Sequence, residues 1–160
     1  MTDYNDLSPA SKRFLERYPF PKMSAPPLTP LKKSLSSAKI GLITTAGLHR
    51  KTDLPFPSSF EKSDCSFRII PAETDPEELK ISHTSKEFDR SGALEDINVV
   101  FPIDRIKDLV QSGILAAEAT NHFSFMGSLP RTGELRKKTA PQAAKLLRED
   151  NVDLVLLTPV

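Results

Sequence analysis

Val152-Asp153-Leu154-Val155-Leu156-Leu157-Thr158-Pro159-Val160 is the stretch that decides the fold. Its apolar core directly follows a segment with helical periodicity. Such a run predicts a short, fully buried β-strand in the centre of a parallel sheet. Sheets of that kind place their active groups just past the carboxyl ends of their strands. No helical segment follows to cover this strand, so apolar surface is expected to stay exposed or to pair with another copy.

Working back along the chain, Thr139-Ala140-Pro141-Gln142 has capping-box spacing, and Ala143, Ala144, Leu146 and Leu147 supply a buried helix face. Pro102 opens another helix, with Ile103, Ile106, Leu109 and Val110 on one face and Gly113 just past its end. Lys39 to Thr45 (KIGLITT) reads as the first core strand, Ser66 to Ile70 as a second, and Leu79 to His83 as a short strand-like piece. Ile97 to Phe101 reads as extended, Ile114 to Phe125 as mixed, and Thr84 to Glu95 as a charged loop. Strands alternating with helices predict an α/β three-layer domain over 38–160 with a mostly parallel sheet, Rossmann-like or flavodoxin-like. It is expected to lack its last strand-helix units. Residues 1–37 are expected to hold a helix capped by Ser8-Pro9, with Phe14 and Leu15 as anchors, and a proline-rich arm.

The 22 basic and 21 acidic residues nearly cancel, so no field favours nucleic acid or an anionic membrane. The N-terminus does not read as a signal peptide, and no apolar run approaches a transmembrane length. One cysteine, Cys65, leaves no internal disulfide framework and no cysteine-based zinc site, which predicts a cytoplasmic protein. Cys65 precedes a strand, at the end opposite to where a nucleophilic thiol is expected, and reads as structural. Neither a GxGxxG nor a GxxxxGK[ST] pattern occurs, and Gly47 reads as a simple turn.

Chemistry is therefore expected from His49, His83 and His122, each placed in a loop or at a strand end. Histidine transfers protons near neutral pH. Metal binding by these three with Asp89 has no close-range ligand spacing behind it, and no metal is expected. Ser82, His83 and Asp89 form a serine–histidine–acid set only on paper, because adjacent strand residues point apart.

FRIIP (67–71), ISHTSKEFDRSG (81–92), DINVVFPIDRIKDLV (96–110) and NHFSFMGS (121–128) come in the order and spacing of the selenoprotein B family, the B components of glycine, sarcosine and betaine reductases and the related D-proline reductase subunit. TTAGLH (44–49) and the last strand also fit, so the resemblance runs from about Phe14 onward. It implies a reductase subunit acting through a selenolate or thiolate. In that family a selenocysteine or cysteine follows the strand matching 152–160, which makes Val160 look like an end created by a UGA codon read as stop. The resemblance further implies a partner subunit that carries a pyruvoyl group, a thioredoxin-like reductant and a small-molecule substrate. Reductive deamination of the glycine, betaine, sarcosine or D-proline type and a general thiol redox role both remain open. So does a non-catalytic binding or regulatory module. Within this chain His83 and His122 are the expected acid/base groups and Asp89 their orienter. His49 and Ser124 are candidates for substrate binding.

Overall fold

The computed structural model describes residues 4–18, 25–26, 29–57 and 63–160. The chain divides into two compact units, 1–30 and 31–160. The first holds α1 (Pro9–Arg17), opened by Ser8, whose hydroxyl accepts from the Ser11 N–H at 3.1 Å. Phe14 of α1 lies 5.5 Å from the Tyr18 ring but is 63% exposed. Most of the expected proline-rich arm lies outside the described residues.

The second unit is organised by β1 (Lys39–Thr44), whose β-branched and leucine side chains suit a strand covered on both faces. After it come β2 (Leu48–Arg50), β3 (Phe67–Pro71), β4 (Leu79–Ile81), α2 (Ser91–Glu95) and α3 (Ile103–Gln111). The chain then runs through β5 (Ala117–Glu118), β6 (Asn121–Phe125), α4 (Ala140–Glu149) and β7 (Leu154–Thr158). β1 pairs in parallel with β5 and β6 on one side and with β7 on the other. β3 joins β6 antiparallel, and β2 and β4 form a separate antiparallel pair. The domain is α/β with a mostly parallel sheet.

Two cores cover the faces of β1. Ile40 and Leu42 pack with Phe101 just before α3, with Ile103 and Ile106 of α3, and with Leu48 and Leu79 of the small sheet. Ile43 points the other way, to Phe123, Phe125 and the α4 residues Ala143 and Leu147. Among the described residues no helix is long and apolar enough to cross a membrane.

Several local expectations change. β7 is not a buried central strand: among the described residues it pairs only with β1, and Val155, Leu156 and Leu157 are 38%, 40% and 64% exposed. The reason is that α4 packs over β1 and β6, leaving that face of β7 open. Ile97–Val99 is a 3-10 turn rather than extended chain, because the Asp96 carboxylate caps it by accepting from the Asn98 N–H at 2.9 Å. The charged loop 84–95 contains α2. Thr139 is no capping-box residue, since its hydroxyl donates to the Cys65 carbonyl at 2.6 Å and a π-turn (Leu135–Thr139) leads into α4. His49 sits within β2, not in a loop.

Candidate functional site at the carboxyl ends of the strands

β1, β6 and β7 run in one direction, so their carboxyl ends share an edge of the sheet. Backbone bonds tie the exits together. The Thr45 N–H donates to the Thr158 carbonyl at 3.2 Å, and the Val160 N–H donates to the Thr45 hydroxyl at 2.9 Å. Ala46 bridges Met126, and the Gly47 N–H donates to the Phe125 carbonyl at 2.9 Å. The Ser82 N–H in turn donates to the Gly47 carbonyl at 3.0 Å, which brings the chain leaving β4 to the same edge.

Gly47 and Gly127 make this approach possible. Gly47 has φ +66°, and a Cβ there would lie 3.3 Å from the backbone nitrogen of His83. A Cβ on Gly127 would lie 2.8 Å from His83 Nε2, 2.9 Å from the Val160 oxygen and 3.0 Å from the Thr45 oxygen. One ring nitrogen and two backbone oxygens, from three separate segments, thus border the same small volume.

The partners of each histidine fix its tautomer. His83 is 4% exposed, and its Nδ1 accepts from the Ser85 N–H at 3.1 Å. Its proton therefore sits on Nε2, which is buried and has no hydrogen-bond partner among the described residues. Phe88 meets the ring edge-on at 5.1 Å, and the Arg90 guanidinium donates to the His83 carbonyl. Burial, and secondly the charge of Arg90, hold the His83 pKa below its ordinary value. In His49, Nδ1–H donates to the Arg50 carbonyl at 2.8 Å, leaving Nε2 to accept from the Ser82 hydroxyl at 2.9 Å. Ser82 and His83 do point apart, and the serine's partner is His49.

His122 is fully buried, and its Nδ1 accepts from the Leu42 N–H at 3.1 Å. β1 meets β5 at Lys39 and Ile40, and β6 only from Ile43, so the imidazole replaces a ladder carbonyl in the gap. Its Nε2 lies 3.8 Å from Glu118 Oε2, and neither atom has a hydrogen-bond partner among the described residues. Burial, aided by the charge of Lys107 and opposed by Asp150, lowers the His122 pKa to about 4. Burial also raises that of Glu118.

Ser124, opposite Thr44 and Arg68 in register, is fully buried with an unpartnered hydroxyl. Asp89 is exposed and accepts from the Ser91 N–H and hydroxyl at 2.9 and 2.8 Å, at the start of α2. The group that orients His83 is the Ser85 N–H. Cys65 is buried, and its thiol donates to the Arg131 carbonyl at 3.4 Å. Because β3 runs antiparallel, the amino end of that strand lies beside the carboxyl end of β6, so strand direction does not separate Cys65 from the site edge.

The structure thus brings His83 to the strand exits, joins His49 to its neighbour Ser82, and keeps His122 and Ser124 within the sheet. Among the described residues no three histidine, cysteine or acidic side chains are grouped to hold a metal. Sequence reasoning missed Thr45, Ser85, Arg90 and Gly127. A signal for Ser85 exists in hindsight: a side-chain acceptor two residues before an N–H is the geometry of an Asx turn.

Residues 9–160 match the family described as glycine/sarcosine/betaine reductase selenoprotein B. The chain is similar to the D-proline reductase subunit gamma of Acetoanaerobium sticklandii, at 35% identity over 137 residues, covering 85% of this chain and 54% of that subunit. It is similar to the sarcosine reductase complex component B subunit beta of Peptoclostridium acidaminophilum, at 26% over 150 residues, covering 92% and 34%. It is also similar to the glycine reductase complex component B subunit gamma of Symbiobacterium thermophilum, at 26% over 148 residues, covering 91% and 34%. The chain spans about half the length of the first of these relatives and about a third of the other two. No solved structure matches.

Proposed function

The chain belongs to the glycine/sarcosine/betaine reductase selenoprotein B family, and from that premise we propose that it forms the strand-exit side of a thiol- or selenol-dependent reductase site within a multi-subunit complex. The observation that carries the reading is His83. A buried imidazole with an unpartnered Nε2 stands at the carboxyl end of the sheet, against the backbone where β7 ends. That is the edge where parallel sheets hold reacting groups.

On this reading a selenocysteine or cysteine acts directly after β7, encoded beyond Val160. Such a residue supplies a nucleophile for reductive removal of an amine from a small amino or N-methylated acid. The residues present suit an anionic sulfur or selenium. A neutral donor faces the exit, and the Asp89 carboxylate, which would repel it, is held on Ser91. The Thr45 bonds hold the exit of β7 to that of β1, the Ala46 and Gly47 contacts hold the exit of β6, and Arg90 holds the His83 backbone. Partner subunits follow from the relatives' names, which describe components of reductase complexes. A pyruvoyl group on such a partner, a thioredoxin-like dithiol as reductant and a cytoplasmic location complete the proposal.

The test begins with the nucleotides after the Val160 codon. A UGA or cysteine codon followed by a frame resembling Pro-x-Cys-His is expected, and the extended chain should then turn over substrate with dithiol in the presence of its partner subunit. A UAA or UAG codon there, or an extended chain that is inert with its partner present, refutes it. A second reading, a non-catalytic binding module, is favoured by the open apolar edge of β7. It predicts that the extended chain binds a partner and has no turnover.

A further inference from the structure

We infer that His83 is a fixed, neutral hydrogen-bond donor whose Nε2–H holds an anionic sulfur or selenium atom at the exit of β7, and that it is not the general base of the site. The inference rests on the reductase reading above and specifies what one residue does within it.

Three observations lead here. First, the tautomer is set by the backbone. The Ser85 N–H donates to Nδ1 at 3.1 Å, so a proton cannot move to Nδ1 without setting two N–H groups against each other. A general base needs a lone pair facing the substrate, and His83 presents a hydrogen there instead. Second, the ring is held in place. It is 4% exposed, lies edge-on to Phe88, and has its carbonyl tied to Arg90. The nearby guanidinium and the burial both disfavour a second proton on the ring, so the group stays neutral near pH 7. Third, Nε2–H is left without a partner where an incoming group would arrive. Buried donors are almost always satisfied, so an orphan at a strand exit marks a place kept for a ligand atom. The backbone beside it is glycine, and any Cβ on Gly127 would come within 2.8 Å of the nitrogen.

A donor to an anion acts differently from a base. It stabilises the ionised form of its acceptor and lowers that group's pKa. The same bond steadies the negative charge without consuming a proton, so its effect is flat across the pH range in which His83 stays neutral.

The experiment has two arms. Long-range nitrogen–proton NMR of the imidazoles in the present 160-residue chain should show His83 with Nε2 protonated and Nδ1 bare, and a titration midpoint below the ordinary histidine value of about 6.5. A proton on Nδ1, or an ordinary titration, overturns the inference and leaves the reductase reading standing. In the second arm the full chain carries cysteine as the residue after Val160, and the thiol pKa is read from the pH dependence of iodoacetamide alkylation. His83→Ala should cut the thiolate fraction at neutral pH about tenfold, one pKa unit. His83→Gln, which keeps an N–H donor and a similar size, should recover part of it. Equal thiol pKa values in wild type and both variants overturn the inference. A stop codon of the UAA or UAG type after Val160 removes the reductase reading, and with it the donor's target, while the tautomer measured in the first arm still stands.

Discussion

Protonation of His122 should set the acid limit of this fold. The residue is fully buried, its Nδ1 accepts from the Leu42 N–H, and its pKa falls from 6.5 to about 4. The groups that face it are Glu118 at 3.8 Å, Lys107 and Asp150. As pH drops through the unfolded value, the unfolded chain takes a proton that the folded chain refuses until about 4. The stabilisation is therefore complete above the unfolded value and is lost as pH falls toward the folded one. A shift of this size corresponds to about 3 kcal/mol. His83, also lowered by burial, adds in the same direction. Glu118 opposes: burial raises its pKa, so the folded state gains a proton first and is favoured as pH falls through the raised value. The His122 contribution is isolated by comparison with His122→Asn, whose side-chain oxygen can accept from the Leu42 N–H but does not titrate. Urea unfolding followed by circular dichroism, at steps from about pH 7 down to about pH 4, should give a steep loss in wild type and a total loss smaller by about 3 kcal/mol in the variant. The variant starts lower because it loses packing against Phe101, so only the loss counts. Equal losses would refute the argument that buried, neutral His122 limits stability in acid.

Gly127→Ala should cost about 1–3 kcal/mol in thermal unfolding and shift the His83 ring resonances, because the new carbon meets Nε2 at 2.8 Å; an unchanged melt with unmoved resonances would show that the strand exits are loose. Leu157→Lys should stay within about 0.5 kcal/mol of wild type and reduce any self-association seen in sedimentation, since the side chain is 64% exposed on an edge strand. Leu42→Ala, at a site with no exposure, should cost about 2–5 kcal/mol, and equal costs for the two would contradict the edge placement of β7. Asp150→Asn should lower stability by about 1–2 kcal/mol at neutral pH, because the carboxylate accepts from Lys39, the Thr120 N–H and the Thr120 hydroxyl. Burial pushes the Asp150 pKa up, but these bonds outweigh it and hold it below 3.8, so the contribution is present above that value and lost in stronger acid.

The elements that the sequence revealed are those where pattern and packing agree. KIGLITT is continuous, and the structure covers it on both faces. Of the α3 stripe Ile103, Ile106, Leu109 and Val110, the first two are buried as the 3.6 period implies, while Val110 is half-buried and Leu109 exposed. β7 (LVLLT) is at least as apolar as β1 (KIGLIT) but has a different fate, because exposure depends on where α4 lies and not on the strand itself. β6 escaped a clear reading because its alternation is split by chemistry: Phe123 and Phe125 face one core, while His122 and Ser124 face the other way. The direction of β3 was invisible too, and with it the edge on which Cys65 lies. Asp89 looked like a partner for His83 by proximity in sequence, yet a carboxylate two residues before Ser91 is better placed to accept from the Ser91 N–H in an Asx turn.

His83 and His122 show why residue type alone does not locate a site. Both are buried and neutral, both accept a backbone N–H at Nδ1, and both carry their proton on an Nε2 with no hydrogen-bond partner. Local chemistry makes them equivalent; position does not. His122 stands in a gap of the β1 ladder with Glu118 as its nearest acidic neighbour, so its unmet donor faces a side chain of the same domain. The His83 donor faces the converging ends of β1 and β7, past a glycine that admits no side chain. In the sheet interior an orphaned N–H is a cost that burial and the Leu42 bond must offset. At the strand exits the same orphan is what a ligand atom needs. The difference comes from backbone: the turn at Gly47, the clearance at Gly127, and the N–H of Ser85 two residues beyond the ring it orients.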